Sequence, residues 1–280
     1  MKWQGRRSST NIEDRRGISS KTVVGGGIGT IILAIVVLLM GGNPIEYLGS
    51  QSGQVESSYE ETAEGRELAE FSSVVLAETE DVWTELFRKE LGEKYDCPGL
   101  VLYSGSVQSA CGAADSSMGP FYCPGDKKVY LDLSFYTELK ERFQAPGDFA
   151  LAYVIAHEIG HHIQKQLGII DEVYSYRNRV SEVEFNKLLV KMELQADYFA
   201  GVWAHYADRA QLLEKGDIEE ALNAAEMIGD DRIQKDAWGY VAPDRFTHGT
   251  SEQRSTWFAK GFKYGTIADG DTFNSPELNN

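Results

Sequence analysis

Residues 148–168 read DFALAYVIAHEIGHHIQKQLG, and both fold and chemistry turn on this stretch. Ile155, Ile159 and Ile163 recur every fourth position, which predicts a helix with one face in a core. Asp148 is placed to cap its start and Gly168 to stop it. The same helix carries His157, Glu158 and His161, an H-E-x-x-H motif. Residues four apart share a helical face, so both imidazoles reach toward one point. Ionisable groups on a buried helix need partners, and a zinc ion suits this spacing. The chemistry expected of the set is hydrolysis. Zinc acidifies water, and Glu158 takes the proton during attack on a carbonyl and hands it to the departing amine.

A catalytic zinc keeps three protein ligands and one open position. Residues 181–206 form a second long helical pattern, in which Glu193 and Asp197 of MELQAD are the candidates for the third ligand. Ala196, Ala200 and Gly201 leave a thin face for close approach to the histidine helix. Glu193 as ligand, with Asp197 bonded to a ligand histidine, would fill both shells. Asp197 as ligand satisfies the same spacing, and a pair of solvated acids is the plain alternative. His162 turns about 100° away from His161 and reads as packing or surface. His205 reads as structural. His248 lies in a Gly/Thr-rich turn before a helix whose Thr250 and Gln253 have capping-box spacing. It can donate to the oxyanion of a tetrahedral intermediate, or simply cap and pack.

Elsewhere, helical periodicity begins near Arg66, and GLVLYSG (99–105) and KKVYLDLSF (127–135) are β-rich. Val129, Leu131 and Leu133 alternate with Tyr130 and Asp132, which predicts a half-exposed edge strand. Such a strand is either ordinary or one that accepts an extended peptide substrate. GDIEEALNAAEMIG (216–229) predicts a further helix. Helix, then strands, then helices reads as α+β, helix-rich with a small sheet. Of Cys97, Cys111 and Cys123, the last two flank a Gly/Ser-rich turn and are the pair expected to form a disulfide in an oxidising compartment.

The net charge is −16. Residues 1–22 carry six basic side chains against Glu13 and Asp14, a surplus of four, so the remainder carries −20. An acidic body argues against nucleic acid as a partner. Val23–Gly42 is uncharged throughout, and as a helix it would span roughly 30 Å of bilayer. With the basic flank, this predicts a retained single-pass anchor, amino terminus cytoplasmic and body outside; a cleaved signal peptide is the competing reading, which the length of the run and the lack of an A-x-A-like site count against. The expected division is a basic tail over 1–22, a membrane span over 23–42, an acidic linker over 43–65 and the catalytic domain over 66–280.

These motifs together carry a likeness. MKWQGRRSSTNIEDRRG (1–17), GPFYCPGDKKVYLDLSF (119–135), AHEIGHHIQ (156–164), ELQADYFAGVWAH (193–205) and FTHGTSEQRSTWFAKGF (246–262) resemble, in the same order, the bacterial neutral zinc metallopeptidase family. The resemblance implies a single-pass membrane protein with a zincin-like domain. Its E-x-x-x-D spacing looks like the gluzincin arrangement, with Glu193 as third zinc ligand and Asp197 steadying His157. His248 would match a late oxyanion-binding histidine. Where the family pattern places two cysteines this chain has Tyr198 and Gly270, which implies a lost disulfide. The expected function is an extracytoplasmic zinc-dependent peptidase with one Zn2+ per chain, acting on peptide or protein substrates. The alternative is a catalytically silent, metal-stabilised binding or assembly module, against which an intact Glu158 counts.

Overall fold

The computed structural model of the protein describes residues 1–17 and 61–278. The expected membrane span over Val23–Gly42 and most of the expected linker lie outside the described residues. Among the described residues no helix is long and apolar enough to cross a membrane.

Chain order runs β1 (Ile12–Asp14), α1 (Ala63–Leu86), β2 (Gly99–Tyr103), β3 (Ser106–Ser109), β4 (Gly112–Asp115), β5 (Phe121–Cys123) and β6 (Lys128–Asp132). Helices follow: α2 (Phe135–Glu141), α3 (Asp148–Gln166), α4 (Ile169–Ser175), α5 (Glu182–Arg209), α6 (Asp217–Met227), α7 (Asp230–Trp238) and α8 (Ser251–Tyr264). The helix-rich α+β reading fits. One sheet has the order β1-β2-β6-β5, with β1, β2 and β6 parallel and β5 antiparallel. Leu100, Leu102, Val129 and Leu131 point into a core shared with α1, α3 and α5. Val101, Tyr103 and Tyr130 point the other way and are covered by the β3–β4 hairpin.

That hairpin overturns the edge-strand expectation for Tyr130 and Asp132. Strand β6 is central, hydrogen-bonded on both sides, and both residues are buried. Tyr130 stacks on Phe121 at 4.9 Å and donates to Asp126. Asp132 accepts the amides of Gly105 and Ser134. The alternation therefore separates two buried layers rather than core from water. Strand β5 is one edge of the sheet, with β1 the other, and Cys123 ties it through a disulfide to Cys111 at the hairpin turn. Cys97 is a free, exposed thiol.

The folded unit is also larger than residues 66–280. It comprises Met1–Arg15 together with the chain from Thr62 onward. Trp3 is buried edge-on against Phe71, and β1 pairs in register with β2, Ile12 opposite Leu100. The Met1 amino group lies 2.9 Å from Glu214 and 3.2 Å from Asp148. Asp148 is thus the first residue of α3 rather than its cap, which is Gly147.

The thin face of α5 serves two neighbours. Gly160 on α3 meets Ala196, where an added Cβ would come within 2.9 Å of the Ala196 backbone. Gly201 instead abuts the Phe258 carbonyl of α8, and Gly261 of α8 abuts the Tyr198 carbonyl. Close approach on both sides locks α5 between α3 and α8. The Tyr198 ring lies against Gly270, where a Cβ would come within 2.6 Å of it. The ring occupies the space that a side chain at position 270 would need, so Tyr198 and Gly270 fit together as one contact.

Candidate metal centre

Helix α3 presents His157 and His161 on one face, and the α3–α5 contact at Gly160 and Ala196 brings Glu193 opposite them. The three ligand atoms lie within 4.8 Å of one another. Glu193 Oε2 is 3.2 Å from His157 Nε2 and 3.4 Å from His161 Nε2. Ligands about 2.0–2.1 Å from a tetrahedral zinc stand about 3.3 Å apart, so the set fits that ion. Burial pushes the Glu193 carboxyl up, but His161 and His248 outweigh it and hold it well below the ordinary value. A charged carboxylate beside two imidazole nitrogens is the donor set the ion requires.

The other ring nitrogens are already engaged. His157 Nδ1 donates to Asp197 Oδ1 at 2.7 Å, and His161 Nδ1 donates to Gln164 Oε1 at 2.9 Å. Each bond fixes the tautomer that leaves Nε2 bare toward the centre. Gln164 is held in turn by donating to the Met192 carbonyl and to Gln195. Asp197 therefore stands behind His157, not among the ligands. It also accepts from Tyr153 at 2.6 Å and from Arg254 Nε and Nη2 at 2.9 and 3.0 Å. Burial pushes Asp197 up, but Arg254 and then His157 outweigh it and bring the carboxyl to about 2.

Sequence reasoning missed Arg254 and Gln164. Both had a signal. Arg254, Trp257, Phe258 and Gly261 share the i, i+3, i+4, i+7 face of α8, so the guanidinium sits on a buried stripe. Gln164 extends the His157–His161 row by one more turn.

Glu158 is buried beside the centre, and burial raises its carboxyl above the ordinary value against the pull of both histidines. His248 lines the same cleft, half of its side chain exposed. Asp230, at the start of α7, accepts the amides of Thr247 and His248 at 2.7 Å and sets this turn. Burial lowers the His248 imidazole, but Glu193 and Asp230 outweigh it and raise it. The cleft encloses about 420 Å³, and its walls beyond the centre are apolar and aromatic, Phe121 and Tyr122 of β5 and Ile228 among them. The second acidic cluster, Asp148, Asp217 and Glu220, lies around the Met1 amino group and the Phe149 amide.

His162 is fully buried and ties β5 to α3 by accepting from the Tyr122 hydroxyl at 3.0 Å while its other nitrogen meets the Asp96 carbonyl. His205 bonds the Phe262 carbonyl and is structural. Burial lowers the His162 imidazole to about 4. Between about 6.5 and 4 the unfolded chain therefore binds the extra proton, and stability falls as pH falls through that window. Denaturant melts of the metal-free protein from pH 7 to 4 are expected to show His162→Gln removing a pH-dependent loss of stability on the order of 3 kcal/mol. Parallel pH profiles for the two proteins would refute the assignment.

A family model described as "Putative neutral zinc metallopeptidase" matches residues 1–273. The chain is similar to the uncharacterized protein YpfJ of Escherichia coli (strain K12), 50% identical over 98% of this chain and 99% of that protein. It is also similar to the uncharacterized protein Mb2605 of Mycobacterium bovis, 40% identical over 68% of this chain and 67% of that protein. No solved structure matches the chain at a significant level.

Proposed function

The chain belongs to the family of neutral zinc metallopeptidases, and on that premise we propose that its cleft hydrolyses peptide bonds with Glu158 as general base. The observation that carries the reading is one constellation. Two imidazoles and the Glu193 carboxylate converge on a point beside which a buried carboxylate of raised pKa stands ready. His157, His161 and Glu193 would hold the ion, which supplies an electrophile that acidifies water and polarises a carbonyl.

The chain's own groups do the rest. Glu158 takes the proton of the attacking water and returns it to the departing amine. His248, raised by Glu193 and Asp230, donates to the oxygen that becomes negative. Asp197, saturated by Tyr153 and Arg254, keeps His157 in the required tautomer. The substrate binds extended along the free edge of β5, and the apolar walls favour apolar side chains beside the scissile bond.

The test uses the full chain, because β1 belongs to the sheet. Metal analysis is expected to give one zinc per chain, and a peptide library is expected to be cut before apolar residues. Chelation is expected to abolish cutting, and added zinc to restore it. Stoichiometric zinc with no peptide cut would sink the reading and leave a silent, metal-stabilised module.

A further inference from the structure

The first fifteen residues belong to the sheet of the domain that carries the metal centre, and we propose that both lie on one side of the membrane. On this reading no bilayer parts residues 1–15 from the metal centre, as the single-pass expectation would have it.

Backbone hydrogen bonds carry the inference. The Lys2 amide donates to Leu212 at 2.7 Å, and the Ser9 amide to Ser73 at 3.0 Å. The Leu100 amide donates to Asn11 and the Arg15 amide to Leu102, both at 2.8 Å, at the two ends of the β1–β2 ladder. No ladder reaches across about 30 Å of hydrocarbon. Exchange of β1 between two copies changes nothing, since the borrowed strand must stand on the same side as its sheet. At the ends of the intervening stretch, Arg16 and Glu61 form an ion pair at 3.4 Å, so the chain returns to where it left.

The basic flank has another use. Arg6 pairs with Glu78, Arg7 with Glu80 and Asp81, and Arg15 with Glu13, which also meets Lys128 of β6. The rule that basic flanks stay in the cytoplasm concerns charges in loops beside a span. Here Arg6 and Arg7 complement acidic side chains of α1, a use for those charges that does not require the cytoplasm.

Two thiols test the proposal in spheroplasts making the full chain. Cys97, exposed in the wild type, reports the domain. Ser8→Cys in a Cys97→Ser background reports the amino-terminal segment, at a position that is also exposed. Labelling by a membrane-impermeant maleimide is scaled to labelling after detergent permeabilisation. The two scaled fractions are expected to agree within about twofold, both high or both low. One thiol labelled in intact spheroplasts and the other only after detergent would overturn the proposal. Neither result depends on peptidase activity, so a failure here leaves the catalytic reading standing.

Discussion

A Glu158→Gln variant is expected to keep its zinc and lose peptidase activity by a factor of about 10²–10⁴ in kcat/KM. Glutamine matches the carboxylate in shape, and Glu158 is not one of the three converging ligand groups, so metal content and stability should match the wild type. What disappears is the capacity to take a proton. Glu158 is largely buried, which limits replacement of the base by solvent. Metal analysis and kcat/KM on one cleaved peptide, measured on the same preparation, decide the matter. Equal activity in the two proteins would remove Glu158 from the chemistry. Loss of zinc along with activity would instead make it part of the binding site.

How much of this could be read from the chain depends on whether a signal was local. His157 and His161 share a helical face by spacing alone, and their helix declared itself by its isoleucines. Glu193 and Asp197 also share a face, so spacing could not rank them. The ranking came from where α5 crosses α3, at Gly160 against Ala196, which leaves Glu193 in the cleft beside both Nε2 atoms and Asp197 behind His157. The strand at Tyr130 and Asp132 was found but misplaced, because a period of two cannot tell a second buried layer from water. That layer exists only because the β3–β4 hairpin folds over it. Strand β1 was invisible for a related reason. Three residues, Ile12–Asp14, carry no pattern of their own, and their partner β2 lies far along the chain. A basic flank beside an apolar run reads as a tail, and only the pairing with β2 puts these residues in the sheet. Tyr198 and Gly270 show the reverse case, two residues far apart in the chain that become one contact in the fold.

The second large effect is expected at Arg254, which touches no ligand atom facing the centre. Its guanidinium is buried, bonds both oxygens of Asp197, and also donates to Tyr153 and the Ile228 carbonyl. Arg254→Met keeps the volume and removes the charge, leaving Asp197 buried with hydrogen bonds from Tyr153 and His157 but without its guanidinium partner. Breaking a buried pair from one side costs about 3–5 kcal/mol, so the denaturation midpoint should fall accordingly. Zinc affinity should fall about 10–100-fold, because Asp197 no longer holds His157 in one tautomer and orientation. The two effects separate in the double variant. Adding Asp197→Asn removes the unpaired charge and should recover much of the stability, a non-additivity expected of partners in direct contact. It should recover none of the zinc affinity. Arg254→Lys, with a point charge in place of a planar fork, should restore stability only partly, since it cannot span both oxygens. Competition titration with a zinc-binding dye and denaturant melts give the two readouts. If zinc affinity stays at the wild-type value in Arg254→Met while the midpoint falls, Arg254 supports the fold alone and has no hold on the metal centre.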